Sequence, residues 1–370
     1  MSSNSDSRID RRRFLKMIGA AGGATALGSL AVACGSSQSA APAKPADSSS
    51  AKPAGTQAPA SSNPAPAGKG KVARMAAIFP PTGAAANAAT EFTKWIADKT
   101  KGELTVQVFP GGQLGAERDM VESVQLGSVE IGVFGLYPAM NITPEWGGVL
   151  GVPYLFRDQD HFRKVLDGPI GKPMRDALVE RKGIHHIVFT NRGPRYLTSN
   201  HAVTTPADLK DIKMRVPEID VYMAAWKMLG ATVTPMAITE IFMALKQGTI
   251  NGQESNYETI YNNSFFEVQK YLNLTGHTRD AYDIAVSEKW FKTLSPDLQK
   301  TLTEGLMEMG KLQDKLQEQD EAGYESKLKE KGMTFHQVEI PKFQEALKDL
   351  PKQFTSKWKA GFYDEVANLK

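Results

Sequence analysis

Residues 104–134 read LTVQVFPGGQLGAERDMVESVQLGSVEIGVF, and their hydrophobic rhythm changes twice along the way. Leu104, Val106 and Val108 alternate with Thr105 and Gln107, the period of two expected of a strand with one covered face. Pro110-Gly111-Gly112 stops that run. Met120, Val121 and Val124 then share one face of a short helix closed by Gly127, and residues 131–134 form an apolar run suited to a strand covered on both faces. Strand, helix and strand in succession predict an α/β architecture with parallel pairing.

The same grammar extends in both directions. Upstream, residues 72–79 read as a strand stopped by Pro80-Pro81. A helix follows, with Phe92, Trp95, Ile96 and Lys99 at helical spacing behind the small residues of 84–89. Downstream, 184–190 and 211–216 read as strands, and 220–229 and 239–246 as helices. Ser295-Pro296 offers an N-cap and a first-turn proline. From there a run dense in Glu, Lys, Gln and Leu continues to about residue 330, with Leu298, Leu302, Leu306, Met309 and Leu312 as its apolar stripe. A helix over 341–350 and another from about 353 close the chain. These helices are expected to brace the sheet rather than carry chemistry.

The first seventy residues follow a different grammar. Arg11-Arg12-Arg13-Phe14-Leu15-Lys16 fits a twin-arginine export signal, and the charge-free stretch 17–33 suits the apolar core of a signal peptide. It ends in Leu30-Ala31-Val32-Ala33-Cys34-Gly35, which is similar to a bacterial lipobox. That similarity implies cleavage before Cys34, the only cysteine of the 370 residues, and a lipid on its sulfur. Residues 1–33 are therefore expected to be removed. Residues 34–70, almost wholly Ser, Ala, Pro, Gly and Lys, are expected to form a disordered, lipid-anchored tether. Five basic and two acidic side chains lie in residues 1–34, and they account for the whole formal charge of +3. The remainder is near neutral and has no basic block with interleaved aromatics, so nucleic acid is not an expected partner.

Catalytic signatures are missing from the folded part. It contains no G-x-S-x-G elbow, H-E-x-x-H, C-x-x-C, P-loop or G-x-G-x-x-G. His185 and His186, the only close histidine pair, would point to opposite faces of a strand. The histidines accordingly read as structural, and neither a metal nor another cofactor is expected. Two arginines draw notice instead. Arg195 lies in Gly193-Pro194-Arg195-Tyr196-Leu197-Thr198, read as a turn feeding a strand. Arg215 lies in Lys213-Met214-Arg215-Val216-Pro217 near a strand end. On their own these patterns fit an exposed ion pair as well as a buried site.

Several segments, in order, resemble the DctP-type substrate-binding proteins of TRAP transporters. They are Pro110-Gly111-Gly112-Gln113-Leu114-Gly115-Ala116-Glu117-Arg118, Val152-Pro153-Tyr154-Leu155-Phe156, and the stretch from Ala207-Asp208-Leu209-Lys210 to Lys213-Met214-Arg215-Val216-Pro217. Further along come Leu229-Gly230-Ala231-Thr232-Val233-Thr234-Pro235-Met236, Thr239-Glu240-Ile241-Phe242-Met243-Ala244-Leu245-Lys246-Gln247-Gly248 and Asn251-Gly252-Gln253-Glu254. The resemblance implies a two-lobed periplasmic-binding-protein-like fold with hinge strands and long C-terminal helices. Lobe I would hold residues 71–192 and 281–320, and lobe II 193–280 and 321–370. It also implies a monomeric, extracytoplasmic receptor, touching the membrane only through its anchor. Such a receptor captures a small carboxylate, hands it to TRAP membrane subunits and performs no catalysis. An importer of the ABC type, a sensor kinase or an exported enzyme on the same scaffold would be the competing readings.

Residue by residue, the resemblance places the ligand carboxylate on Arg215, with Arg195 assisting. An Asn normally follows Gly-Gln-Glu, and here Ser255-Asn256 stand in that place, so either could take over. The acidic-Trp pair that marks metal-assisted members is broken by Ser255. Glu218, directly after Pro217, would disfavour a second carboxylate and favour a hydroxyl or amine; alternatively it pairs with Arg195 or a lysine. Glu117, Phe134, Gly135, Tyr137 and Ile238 complete the expected wall, with Arg118, Trp146 and Tyr154 as further candidates.

Overall fold

The computed structural model describes residues 70–370. The export signal, Cys34 and all but the end of the tether lie outside the described residues. Strands β1 (Lys71–Ala77), β2 (Leu104–Phe109) and β3 (Ile131–Phe134) appear within two residues of their expected positions. Helices α1 (Ala84–Lys99) and α2 (Glu117–Leu126) lie between them, and Gly127 ends α2 in the left-handed conformation, as a C-terminal glycine does. The chain continues through β4 (Ile184–Ser199), β5 (Lys213–Val216), β6 (Thr232–Pro235), β7 (Gly252–Ser255), β8 (Tyr271–Ser287) and β9 (Thr334–His336).

The nine strands of the described residues join one mixed sheet in the order β2-β1-β3-β8-β4-β7-β5-β6, with β9 beside β8. Pairing is parallel at both ends, among β2, β1 and β3 and among β7, β5 and β6. The centre departs from the parallel expectation. There β8 runs antiparallel to β3 and β4, and β4 antiparallel to β7. These two central strands are also the longest, 16 and 17 residues. At about 3.3 Å per residue each spans on the order of 50 Å, enough to run through both lobes of an α/β two-lobed fold and join them.

β4 also overturns the expected turn at Gly193-Pro194, for the strand continues through it. Its register with β8 slips between Asn191 and Gly193 and again between Arg195 and Leu197. Gly193 takes φ 75° there, a conformation that costs glycine little and other residues more.

Three apolar clusters fill the spaces around the sheet. The first joins β1, β3 and α1 to Leu298, Leu302, Leu306 and Met309 of the long helix Pro296–Glu330. The second gathers Ile241, Ile250, Ile260, Phe265, Tyr324 and Leu328. The third packs Leu136–Leu166 against Val203–Ala231 and against the C-terminal Phe343, Leu350, Phe354 and Val366. The helix beginning at Pro296 is capped by Ser295, whose Oγ accepts from the Leu298 amide at 3.3 Å. It packs closely on α1 because residue 305 is glycine: a Cβ there would lie 2.4 Å from the Trp95 ring. Farther along, Gln313 Nε2 donates to the Asn191 carbonyl at 2.6 Å, and Asp314 accepts from the Asn191 amide at 2.5 Å. The long helix thus braces β4 at its bulge. The C-terminal region breaks into shorter pieces than expected, Ile340–Leu347, a tight turn over Leu350–Phe354 and Phe362–Asn368, since Pro351 and Gly361 interrupt it. No helix among the described residues is long and apolar enough to cross a membrane.

Candidate functional site

A cavity of about 270 Å³ opens where the parallel strands of both lobes end. Gly135 follows β3, Pro217 follows β5, Met236 follows β6, and Ser255 ends β7. Carboxyl ends of parallel strands are where open α/β sheets bind ligands, because the connecting loops diverge there. β4 and β8 form the floor and contribute Arg192, Arg195 and Asp280.

Of the four arginines that line the cavity, Arg118 pairs with Glu122 on its own helix, and the other three have different charge environments. Arg195 is committed internally. Its Nε donates to Glu254 Oε2, its Nη2 to Glu254 Oε1 at 2.8 Å and to the Glu254 carbonyl at 2.9 Å, and its Nη1 to Asp280 Oδ2 at 2.6 Å. Arg192 shares Asp280 Oδ2 at 2.8 Å and lies over the Tyr282 ring, 4.3 Å from its centroid. Burial acts to raise Glu254, but Arg195 and His277 outweigh it and hold the carboxylate at about 2. Burial would lower Arg195, but Glu254 and Asp280 raise it well above the usual arginine range.

Arg215 differs. Its Nε and Nη2 both donate to the Met236 carbonyl, at 2.8 and 2.6 Å, and it is 5% exposed. Among the described residues it forms no ion pair. Burial lowers it to about 10, with Glu254 pulling the other way and Arg195 adding to the depression. It therefore remains a cation at neutral pH, buried at a cavity wall with no direct ion pair, while Glu254, Glu117 and Glu240 act on it from a distance. An uncompensated buried charge is costly, and a carboxylate entering the cavity would compensate it.

Most of the expected wall residues meet here. Arg215, Arg195, Ser255, Glu117, Gly135, Tyr137 and Ile238 all line the cavity, and Glu218 and Arg118 stand exposed at its rim. Among the described residues Glu218 pairs with neither Arg195 nor a lysine. Two residues sit elsewhere. Phe134 is fully buried in the core of the first cluster. Asn256 is the cap of the helix Tyr257–Asn262, its Oδ1 accepting from the Thr259 amide at 2.9 Å, so Ser255 is the member of that pair at the cavity. Trp146 and Tyr154 pack against the third cluster. His185 and His186 bond to different carboxylates, Glu288 and Asp283, each at 2.7 Å.

Arg192, Asp280 and Tyr222 line the cavity without having been expected to. In a regular strand Arg192 and Arg195, an odd number of residues apart, would point to opposite faces. The bulge at Gly193 adds the residue that brings both to one face. The only signal was a Gly-Pro pair between two arginines, and it read more naturally as a turn.

Against known families, the model of the bacterial extracellular solute-binding protein, family 7 (DctP), matches residues 75–357. The chain belongs to this family. A solute-binding protein of Roseobacter denitrificans is 38% identical over 267 residues, covering 71% of this chain and 80% of its own. The structure of a Roseobacter denitrificans TRAP periplasmic solute-binding protein with bound L-galactonate superposes with a TM-score of 0.75 at 32% identity, covering 80% and 97% of the two chains. A Polaromonas TRAP protein bound to D-erythronate gives 0.76 at 31% identity, covering 81% and 99%. A Sulfurospirillum deleyianum TRAP protein with bound succinate gives 0.77 at 26%, with coverage of 81% and 99%. Family 7 proteins work outside the cytoplasm, and this chain shares their α/β two-lobed fold with hinge strands.

Proposed function

We propose that this protein captures a small hydroxylated monocarboxylate outside the cytoplasmic membrane and delivers it unchanged to the membrane subunits of a TRAP transporter. The observation that carries the reading is Arg215, a buried cation without an ion-pair partner among the described residues, at the wall of a half-open cavity. Its guanidinium end, free on Nη1, presents planar donors to a carboxylate. Ser255 lines the same cavity and offers a hydroxyl donor. Arg195, fully occupied by Glu254 and Asp280, assists by fixing the floor of the site and adding positive potential. Related proteins bound to L-galactonate and D-erythronate support a hydroxy acid, as does the acidic side chain of Glu117 in the wall. Closure of the lobes about β4 and β8 would exclude water and strengthen the charge pair.

Titration calorimetry against a panel of hydroxy acids tests this. Removing one partner of a buried ion pair costs about 3–5 kcal/mol, so Arg215→Ala should weaken binding by roughly two to four decades. Arg215→Lys should fail to restore it, because an ammonium lacks the fork. Unchanged affinity in Arg215→Ala would sink the assignment. Membrane attachment is proposed to depend on the lipid at Cys34: labelled fatty acid should be incorporated by the wild type and not by Cys34→Ser, and an unlabelled wild type would rule the anchor out.

A further inference from the structure

Two chemically different groups line the cavity. One is Arg215, bonded to the Met236 carbonyl. The other is the Glu117 end, where Gly135, Arg192 and Asp280 meet. Glu117 Oε1 accepts from the Gly135 amide at 2.6 Å. A Cβ on Gly135 would lie 3.2 Å from Glu117 Oε1 and 3.5 Å from Arg192 Nη1, so the three groups meet on one patch of wall. The second carboxyl oxygen of Glu117 makes no hydrogen bond to the described residues. Arg192 is tied to Asp280 through Nη1, while its buried Nε has no partner.

Charge counting then separates two ligand classes. Asp280 and Glu254 pair with Arg192 and Arg195, and Arg118 at the rim pairs with Glu122, which leaves Arg215 as the wall arginine without an ion pair among the described residues. One ligand carboxylate satisfies it. A second carboxylate would reach the Glu117 end, where an ionised Glu117 repels it and a protonated one donates a hydrogen bond to it. A ligand hydroxyl at the same place would instead donate to the ionised form.

We infer that Glu117 sets the charge of the acid admitted: a dicarboxylate enters together with one proton, taken from solvent onto Glu117, whereas a hydroxy monocarboxylate enters without one. This rests on the reading that Arg215 grips the first carboxylate. The groups facing Glu117 are Arg192 from β4, Asp280 from β8, Arg215 from β5, Glu218 from the loop after β5, and Tyr137 from the segment after β3. Arg118 and Asp119 lie on its own helix. Burial pushes Glu117 from 4.5 up to about 7, against the pull of the Gly135 amide and of Arg192. Burial also raises the Tyr137 phenol, which stays neutral throughout. Near neutral pH, Glu117 is thus the group of this wall that changes charge.

Succinate and L-galactonate are suitable probes. Calorimetry in buffers of different ionisation enthalpy at about pH 8 should show succinate binding with uptake of close to one proton, and L-galactonate with far less. Succinate affinity should weaken about tenfold per pH unit above about 7, and in Glu117→Gln it should lose this dependence and the proton uptake. Equal proton uptake for the two acids, or pH dependence persisting in Glu117→Gln, overturns the proposal. So does a carbon-13 NMR titration of the ligand-free protein that places Glu117 at 4.5, whichever acids bind. Failure of both acids to bind the wild type, with Glu117 titrating near 7, overturns the Arg215 reading and this proposal with it.

Discussion

Arg215 and Glu258 are both buried ionisable groups, and each reports on a different cost. Arg215 keeps its charge because a guanidinium is too basic to lose it at neutral pH. Glu258, 1% exposed, reaches from the helix Tyr257–Asn262 to the first amide of α1, where Oε1 accepts from Ala84 at 3.1 Å while Oε2 has no partner. Burial raises it to about 7 despite the pull of Arg192 and of that amide. A raised pKa contributes stability below the unfolded value near 4.5, and that contribution is lost as pH rises through about 7. A shift of this size corresponds to about 3 kcal/mol, and Glu117 acts in the same direction. Urea denaturation should therefore show the ligand-free protein losing stability between about pH 5 and pH 8. Glu258→Gln, which keeps the acceptor for Ala84, should flatten that slope, and an identical slope in the variant would refute the attribution. At this scale the sequence was informative where a side chain followed the strand period. Arg215 alternates with Met214 and Val216, which are buried in the third cluster while its side chain lines the cavity. Phe134 failed for the opposite reason. A run covered on both faces does not say which face meets a cavity.

Elements were legible in proportion to their periodicity. β1, β2, α1, α2 and the Ser295-capped helix appear within a few residues of their expected positions, since one face of each is apolar and the other polar. β8 was not seen at all. Its central residues, Thr275, His277, Thr278 and Asp280, are polar yet buried, because they satisfy one another and the arginines rather than an apolar core, which erases the alternation. Two glycines test the account of packing. Gly193→Ala would force a side chain to φ 75° with its Cβ 3.3 Å from Glu321 Oε1, and should cost about 1–3 kcal/mol in a denaturation midpoint. Its second effect should be weaker ligand binding, since the bulge sets Arg192 and Arg195 on one face. Gly305→Ala places its Cβ 2.4 Å from Trp95 and should cost about 1–3 kcal/mol through overpacking, with ligand affinity unchanged. Equal effects of the two variants on binding would contradict the distinction drawn between hinge and brace.

For the whole molecule, the resemblance of ordered segments carried more than composition did. Near-neutral charge and missing catalytic motifs narrowed the class, but neither could reveal that the two parallel ends share one sheet. A ligand that binds the closed form should stabilise it: at about 100 times its Kd the gain is about 2.7 kcal/mol, visible as a raised unfolding temperature, and small-angle scattering should record a smaller radius of gyration. Absence of that compaction at saturation would argue against closure.

The continuity of β4 and β8 has a consequence for synthesis. β3 finds one of its two neighbours only when β8 emerges, and β4 must wait for β7 and β8. A ribosome therefore releases well over two hundred residues before the central pairings can form, and neither lobe can be completed ahead of the other. Fragments ending before Ser287 should accumulate as aggregation-prone or protease-sensitive chains, as late long-range pairing leaves strand edges open in the interim.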